Sequence, residues 1–295
     1  MSQNRPTIRN CVWHALDTAD EETLKEMLAI SELGKEYLEI QDEKQKSNIR
    51  NTLSKGLNRA QLIGAIIQNM ESAITEGFGI MDVFKDMDLY PKQLQHCIEV
   101  LTKGLEKKAE ELGDEGWKRS LKITRDKYSS ISLTCDTAVE LEEVIVTLLL
   151  DAHLKTLSEK EREKLIRNIA RELKGLSGVD EGRIASILTY GGLIALRQLL
   201  GFNFHIILAV VINTIWKYTG AMILGSGLSL AVNALIQRLA AIVLGPIGWV
   251  IFTISLFSLG SKLLNPREYD KYIPLVVYIY ILRLKIKEYL KDFPE

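Results

Sequence analysis

A chain of 295 residues has room for two domains, or for one domain and a membrane-seeking part. With 47% hydrophobic and 25% charged residues it is neither collagen-like, nor low-complexity, nor wholly disordered. Lys+Arg 37 against Asp+Glu 38 gives a net charge of −1, which argues against a general nucleic-acid binder. That neutrality averages two different materials. Gly182 to Arg267 holds no Asp or Glu and carries +6, the tail from Glu268 sums to zero, and the first 181 residues are left with −7.

Met1 to Leu16 mixes polar and charged residues and lacks the apolar core of a secretory signal, so a cytoplasmic chain is expected. Cys11, Cys97 and Cys135 are odd in number and far apart, without a Cys-x-x-Cys pair; three free thiols suit that compartment. Helix signals then follow one another. Thr18 and Glu21, Thr137 and Glu140, and Ser158 and Glu161 have capping-box spacing. Amphipathic patterns cover Asp20–Ile30, Arg59–Ile74, Pro91–Leu112 and Asp136–Leu157. After Ser158, the residues Leu165, Ile166, Ile169 and Leu173 form one apolar stripe among charges. Gly77–Tyr90 reads as a connection, and Ser130–Leu133 is the nearest approach to a strand. The expected fold is all-α: a multi-helix bundle with a very hydrophobic C-terminal helical part. Its expected divisions are an acidic helical domain over 1–133, an amphipathic helix pair over 134–181, and a hydrophobic membrane-interacting part over 182–295 with a basic last helix.

Single basic residues divide the apolar part. Gln198–Trp216 has 19 uncharged residues, Tyr218–Gln237 has 20 and Leu239–Ser261 has 23, against about 20 needed to cross a bilayer core. Leu239–Ser261 contains twelve Leu, Ile, Val or Phe, together roughly −4 to −7 kcal/mol on an insertion scale before Pro246, the glycines and the hydroxyls are counted. Tyr218–Gln237 has only seven, and it suits half of a hairpin whose small residues let the arms approach. Gln198–Trp216, with Asn203, His205 and Asn213, fits either a span or a buried core helix. The expected interface positions are Trp216, Lys217, Tyr218, Arg238, Trp249 and Lys262, joined by Arg283, Lys285 and Lys287 on the last helix. Gly225, Gly227, Gly245, Pro246 and Gly248 are the expected hairpin and packing positions. Tyr272–Leu290 has two readings, an interfacial helix held to anionic lipid or a final bundle helix.

No constellation carries chemistry. His14, His96, His153 and His205 form no His-x-x-x-His pair, and no Glu-x-x-His is present. Glu140, Glu142 and Glu143 read as a solvated helix face. His96 and Cys97 are adjacent and point apart on a helix. Gly225-Ser226-Gly227 lacks the third glycine and the Lys of a phosphate loop, and helix contact explains it better. No catalytic residue, metal or cofactor is assigned.

The run Gly245-Pro246-Ile247-Gly248-Trp249 and the stretch from Lys271 to Arg283 resemble the YaaW-like family of uncharacterised bacterial proteins. The helix pair Asp136–Leu176 and the Tyr190-Gly191-Gly192 approach fit that arrangement too. That family is grouped with ubiquinol–cytochrome c chaperone-like proteins, so the resemblance implies an all-α protein and carries no catalytic residue over. The apolar hairpins are similar in general character to pore-forming colicin domains. The expected function is a non-enzymatic helical protein that associates with or inserts into a membrane, conditionally, in a pore-forming or stress-and-defence role. Its expected place is the cytoplasmic face of the inner membrane, with lipid as partner, room for a protein partner or self-association, and no nucleic acid. The alternative is a helical chaperone or assembly factor with an apolar groove.

Overall fold

The computed structural model describes residues 8–40, 42–78, 89–201, 204–225 and 269–291. Among the described residues there are twelve helices and no strand, so the protein is all-α. They are α1 (Ile8–Asp17), α2 (Glu21–Leu33), α3 (Lys35–Leu38), α4 (Glu43–Leu53), α5 (Arg59–Phe78) and α6 (Leu89–Leu112). There follow α7 (Glu115–Ser129), α8 (Cys135–Thr156), α9 (Glu159–Ser177), α10 (Glu181–Leu200), α11 (Phe204–Gly225) and α12 (Tyr269–Lys291).

Local chemistry explains most of the boundaries. Ser158 and Glu161 form the full reciprocal capping box at the start of α9, and Gly178, at φ 64°, ends that helix in the left-handed conformation. The other two capping boxes shift by a few residues. Asp20, not Thr18, caps α2, its carboxylate accepting from the Thr23 N–H at 2.8 Å, because a charged acceptor beside the first turn outcompetes a hydroxyl. Ahead of α8, the Thr137 hydroxyl accepts from the Thr134 N–H at 2.9 Å and the Thr137 N–H donates to the Thr134 hydroxyl at 3.3 Å, so Thr134 and Thr137 cap the helix. Ser130–Leu133 is irregular chain, and Gly77 still belongs to α5.

The chain forms two compact units, both discontinuous in sequence, whereas the sequence reading divides it into consecutive segments. The first takes residues 1–98, 129–145 and 264–295. In it α2 packs against α4, α5 and α12, and α12 also packs on α1 and α5. From Tyr272 to Leu282 the described side chains of α12 are buried, including Tyr272, Tyr278 and Tyr280. A helix apolar on every side finds its place at the centre of a bundle. Over Tyr272–Leu282 the bundle-helix reading is the one adopted; the side chains from Lys285 onward lie outside the described ones.

The second unit takes residues 99–128 and 146–263. The α9 stripe is fully covered at Leu165, Ile169 and Leu173, and α9 packs against both α10 and α11. Gln198–Trp216 is not one continuous segment. Gly201, at φ 61°, caps α10, and a new helix begins at Phe204. In α11 the side chains of Phe204, Ile207, Leu208, Val211, Ile212 and Ile215 are buried, the spacing of one helix face. No helix among the described residues is long and apolar enough to cross a membrane. The hairpin expected from Tyr218–Gln237 and Leu239–Ser261 lies, beyond Gly225, outside the described residues.

Candidate functional site

The most unusual polar arrangement lies in the second unit, where α10 breaks. Asp180 caps the start of α10 through the Gly182 and Arg183 N–H groups, and the helix runs on to a kink at Gly192. There φ is 74° and ψ −173°, a region that essentially only glycine occupies. The break frees two amides inside the protein, and a buried orphan N–H is costly. Asp151, fully buried on α8, supplies the acceptors: the Leu193 N–H donates to Oδ1 and the Ile194 N–H to Oδ2 at 3.0 Å. A side chain from another helix thus acts as the N-cap of the half-helix Leu193–Leu200.

Glycines let the backbones approach this closely. A Cβ on Gly192 would lie 2.6 Å from Asp151 Oδ1, and one on Gly116 would collide with the Tyr190 carbonyl oxygen. Gly192→Ala should therefore cost at least about 2 kcal/mol, since strain at the positive φ adds to displacement of the carboxylate. Chemical denaturation checks it, and a loss below about 0.5 kcal/mol would contradict the packing described.

The charge balance is incomplete. One turn after Asp151, the buried Lys155 ammonium donates to Asp114 Oδ2 at 2.5 Å and to the Thr189 carbonyl at 3.2 Å, over the Trp117 ring at 5.3 Å. Two carboxylates share one cation. Burial pushes the Asp151 carboxyl up to about 6, against the opposing pull of the Leu193 and Ile194 amides and of Lys155. The half-helix is also fastened to α7: the Gln198 amide donates to the Thr124 hydroxyl at 3.1 Å and to the Ser120 carbonyl at 3.2 Å, and Arg197 donates to the Tyr128 hydroxyl.

The first unit holds a separate buried charge cluster. Glu142, fully buried, accepts from Arg283 Nε at 2.8 Å, from Arg283 Nη2 at 3.2 Å and from the Tyr90 hydroxyl at 2.8 Å. Arg283 Nη2 also donates to the Cys11 carbonyl at 2.6 Å. Burial first, and then the Glu142 carboxylate, holds the Tyr90 phenol well above its ordinary value, so it remains a donor. Nearby, Arg50 Nη1 and the Tyr37 hydroxyl converge on Glu26 Oε2 at 2.7 and 2.6 Å. These groups are ion-paired staples between helices.

Of the expected interface residues, Arg283 is part of this staple. Trp216, Lys217 and Tyr218 lie in α11, and Lys285 and Lys287 in α12, with side chains outside the described ones; Gly225 is the last residue of α11. Arg238, Trp249, Lys262, Gly227, Gly245, Pro246 and Gly248 lie outside the described residues. The solvated face expected of Glu140, Glu142 and Glu143 is overturned at Glu142, because Arg283 supplies a partner that makes burial affordable. Cys11 is disulfide-bonded rather than free, its partner's side chain falling outside the described ones. Cys97 is free, and burial pushes its thiol well up, so with His96 it makes no activated nucleophile. Among the described residues no cluster of His, Cys, Asp or Glu could hold a metal.

Asp151, Lys155 and Gly192 were missed as a group in the sequence. Two signals were present: an Asp and a Lys four apart inside the apolar run from Val144, and a Gly-Gly pair inside a helical pattern. No family model, curated protein or solved structure matches the chain.

Proposed function

We propose that this chain is a non-enzymatic helical protein, of YaaW-like character, that associates with a membrane from the cytoplasmic face. Its two charge-stapled helical units form the body, and Tyr218–Gln237 and Leu239–Ser261 enter lipid as a hairpin with Arg238 at its tip. The observation that carries the reading is the acid-free stretch from Gly182 to Arg267, with uncharged segments of 20 and 23 residues either side of a single Arg. The buried ion-paired clusters tie helices to one another within each unit.

A second reading, a helical chaperone or assembly factor receiving a partner in an apolar groove, draws on the burial of α12 and of one face of α11 within helical units. Fractionation separates the two. The expressed protein should stay with membranes through an alkaline carbonate wash and come off with detergent. Recovery without detergent as a monodisperse species would overturn the membrane reading in favour of the second.

A further inference from the structure

We propose that the seam between α7 and α10 is a docking surface for an anionic lipid bilayer. The inference rests on the membrane reading above and adds to it the part of the second unit that meets the headgroups, and the charge those headgroups carry.

Contacts fix the seam along its length. The Tyr190 carbonyl lies against Gly116, where any side chain would collide with it. Further along, Gln198 donates to Ser120 and Thr124. At the far end the buried Tyr128 hydroxyl accepts from Arg197 and from Lys127 Nζ, the latter at 3.1 Å, and both cations lie over its ring. Three large side chains stand out from this seam: Tyr190 is 70% exposed, Ile123 49% and Leu199 46%. Ile123 and Leu199 are the chain neighbours of Thr124 and Gln198, whose hydrogen bond joins the two helices. Arg119, Lys122, Ile123 and Lys127 are all exposed, at spacings that keep them on one arc of α7. Lys118 and Arg125 flank that arc and pair with Glu110 and Glu106 of α6. On the arc itself Glu115 and Asp126 oppose Arg119, Lys122 and Lys127, and α10 adds Arg197 from a stretch without acid after Glu181. Four cations against two carboxylates leave the seam positive.

Charge and apolar surface together choose the occupant. The uncharged segments of this chain suit Tyr190, Ile123 and Leu199 but bring no anion to the cations. A second copy seated on the same face sets like charges against each other. An anionic bilayer surface supplies phosphates at the level of the cations, and acyl chains just beneath them for the three exposed side chains.

Co-flotation of the full-length protein with vesicles tests this. Binding should be at least about tenfold tighter to phosphatidylcholine–phosphatidylglycerol vesicles than to phosphatidylcholine alone, and high salt should erase the preference. Arg119→Gln, Lys122→Gln and Lys127→Gln together should weaken binding to the mixed vesicles about 100-fold, at roughly fivefold per basic residue. The same charge removed from exposed positions of α9, by Lys160→Gln, Lys164→Gln and Arg171→Gln, should change it less than about threefold, because screening confines the attraction to charges near the bilayer. Ile123→Ser with Leu199→Ser should weaken binding about tenfold and leave its salt dependence in place. An α7 variant that binds like the wild type, or an α9 variant as weak as the α7 one, would overturn the surface. So would a serine variant that binds like the wild type, since an acidic protein or another polyanion would then fit the cations equally well. If the α7 variant does not fold, the lipid preference of the wild type and the serine variant decide. Resistance to a carbonate wash with no preference for phosphatidylglycerol would overturn the surface and leave the membrane reading standing. A preference lost in the α7 variant, in a protein that carbonate strips from membranes, would overturn the inserted hairpin and leave the surface standing.

Discussion

A chain ending at residue 268 should fail to form its first unit. It loses α12, whose ten buried apolar side chains from Tyr272 to Leu282 pack against α1, α2 and α5. At about 1.5–3 kcal/mol for each large side chain, their burial is worth on the order of 15–30 kcal/mol, more than the roughly 5–15 kcal/mol that holds a typical domain folded. The same reasoning applies to the 1–181 fragment, which by charge and capping signals alone should fold independently as a soluble helical domain. It also lacks α12. Both truncated chains should keep part of their far-ultraviolet helical signal, lose near-ultraviolet ellipticity and bind a hydrophobic dye. A cooperative melt at the full-length temperature in either one would show that the unit closes without α12.

Arg283→Met should be the most damaging single substitution in the first unit, costing about 3–5 kcal/mol. It leaves Glu142 charged and fully buried, and it strips a donor from the Cys11 carbonyl. Tyr90 still donates to Glu142 but brings no positive charge. Adding Glu142→Gln should recover a large part of the loss, because the amide removes the buried charge and keeps an acceptor for Tyr90. Denaturant melts of the two single variants and the double variant give the coupling energy, expected to exceed about 1 kcal/mol. Strict additivity would mean that the pair is not the staple described. The result also bears on lipid: an Arg283 held by Glu142 is not free to meet an anionic headgroup.

The helices were legible because their signals are local. Ser158 and Glu161 cap α9 as their spacing requires, and the stripe Leu165, Ile166, Ile169 and Leu173 is the face that becomes buried. Thr18 and Asp20 stand two residues apart as candidate caps, and Asp20 prevails because its charged carboxylate reaches the Thr23 N–H of the first turn. The candidate site was much less legible. Glu142 looks no different from Glu140 and Glu143 until Arg283 is brought against it from 141 positions away. Asp151 meets the Leu193 amide across 42 positions, and the Gly-Gly pair shows only that α10 is interrupted, not what caps the interruption.

The sequence by itself determined that the protein is helical, where six of the twelve described helices lie, and that acidic residues vanish between Gly182 and Arg267, since periodicity, capping and composition are read over a few residues or by counting. The tertiary structure alone decided that Tyr272–Leu282 is core, that Gln198–Trp216 belongs to two helices, and which carboxylates are buried. An apolar helix is equally content among other apolar helices or in lipid, so its own composition does not choose between them. A charge can be buried only where another part of the chain brings the partner that compensates it.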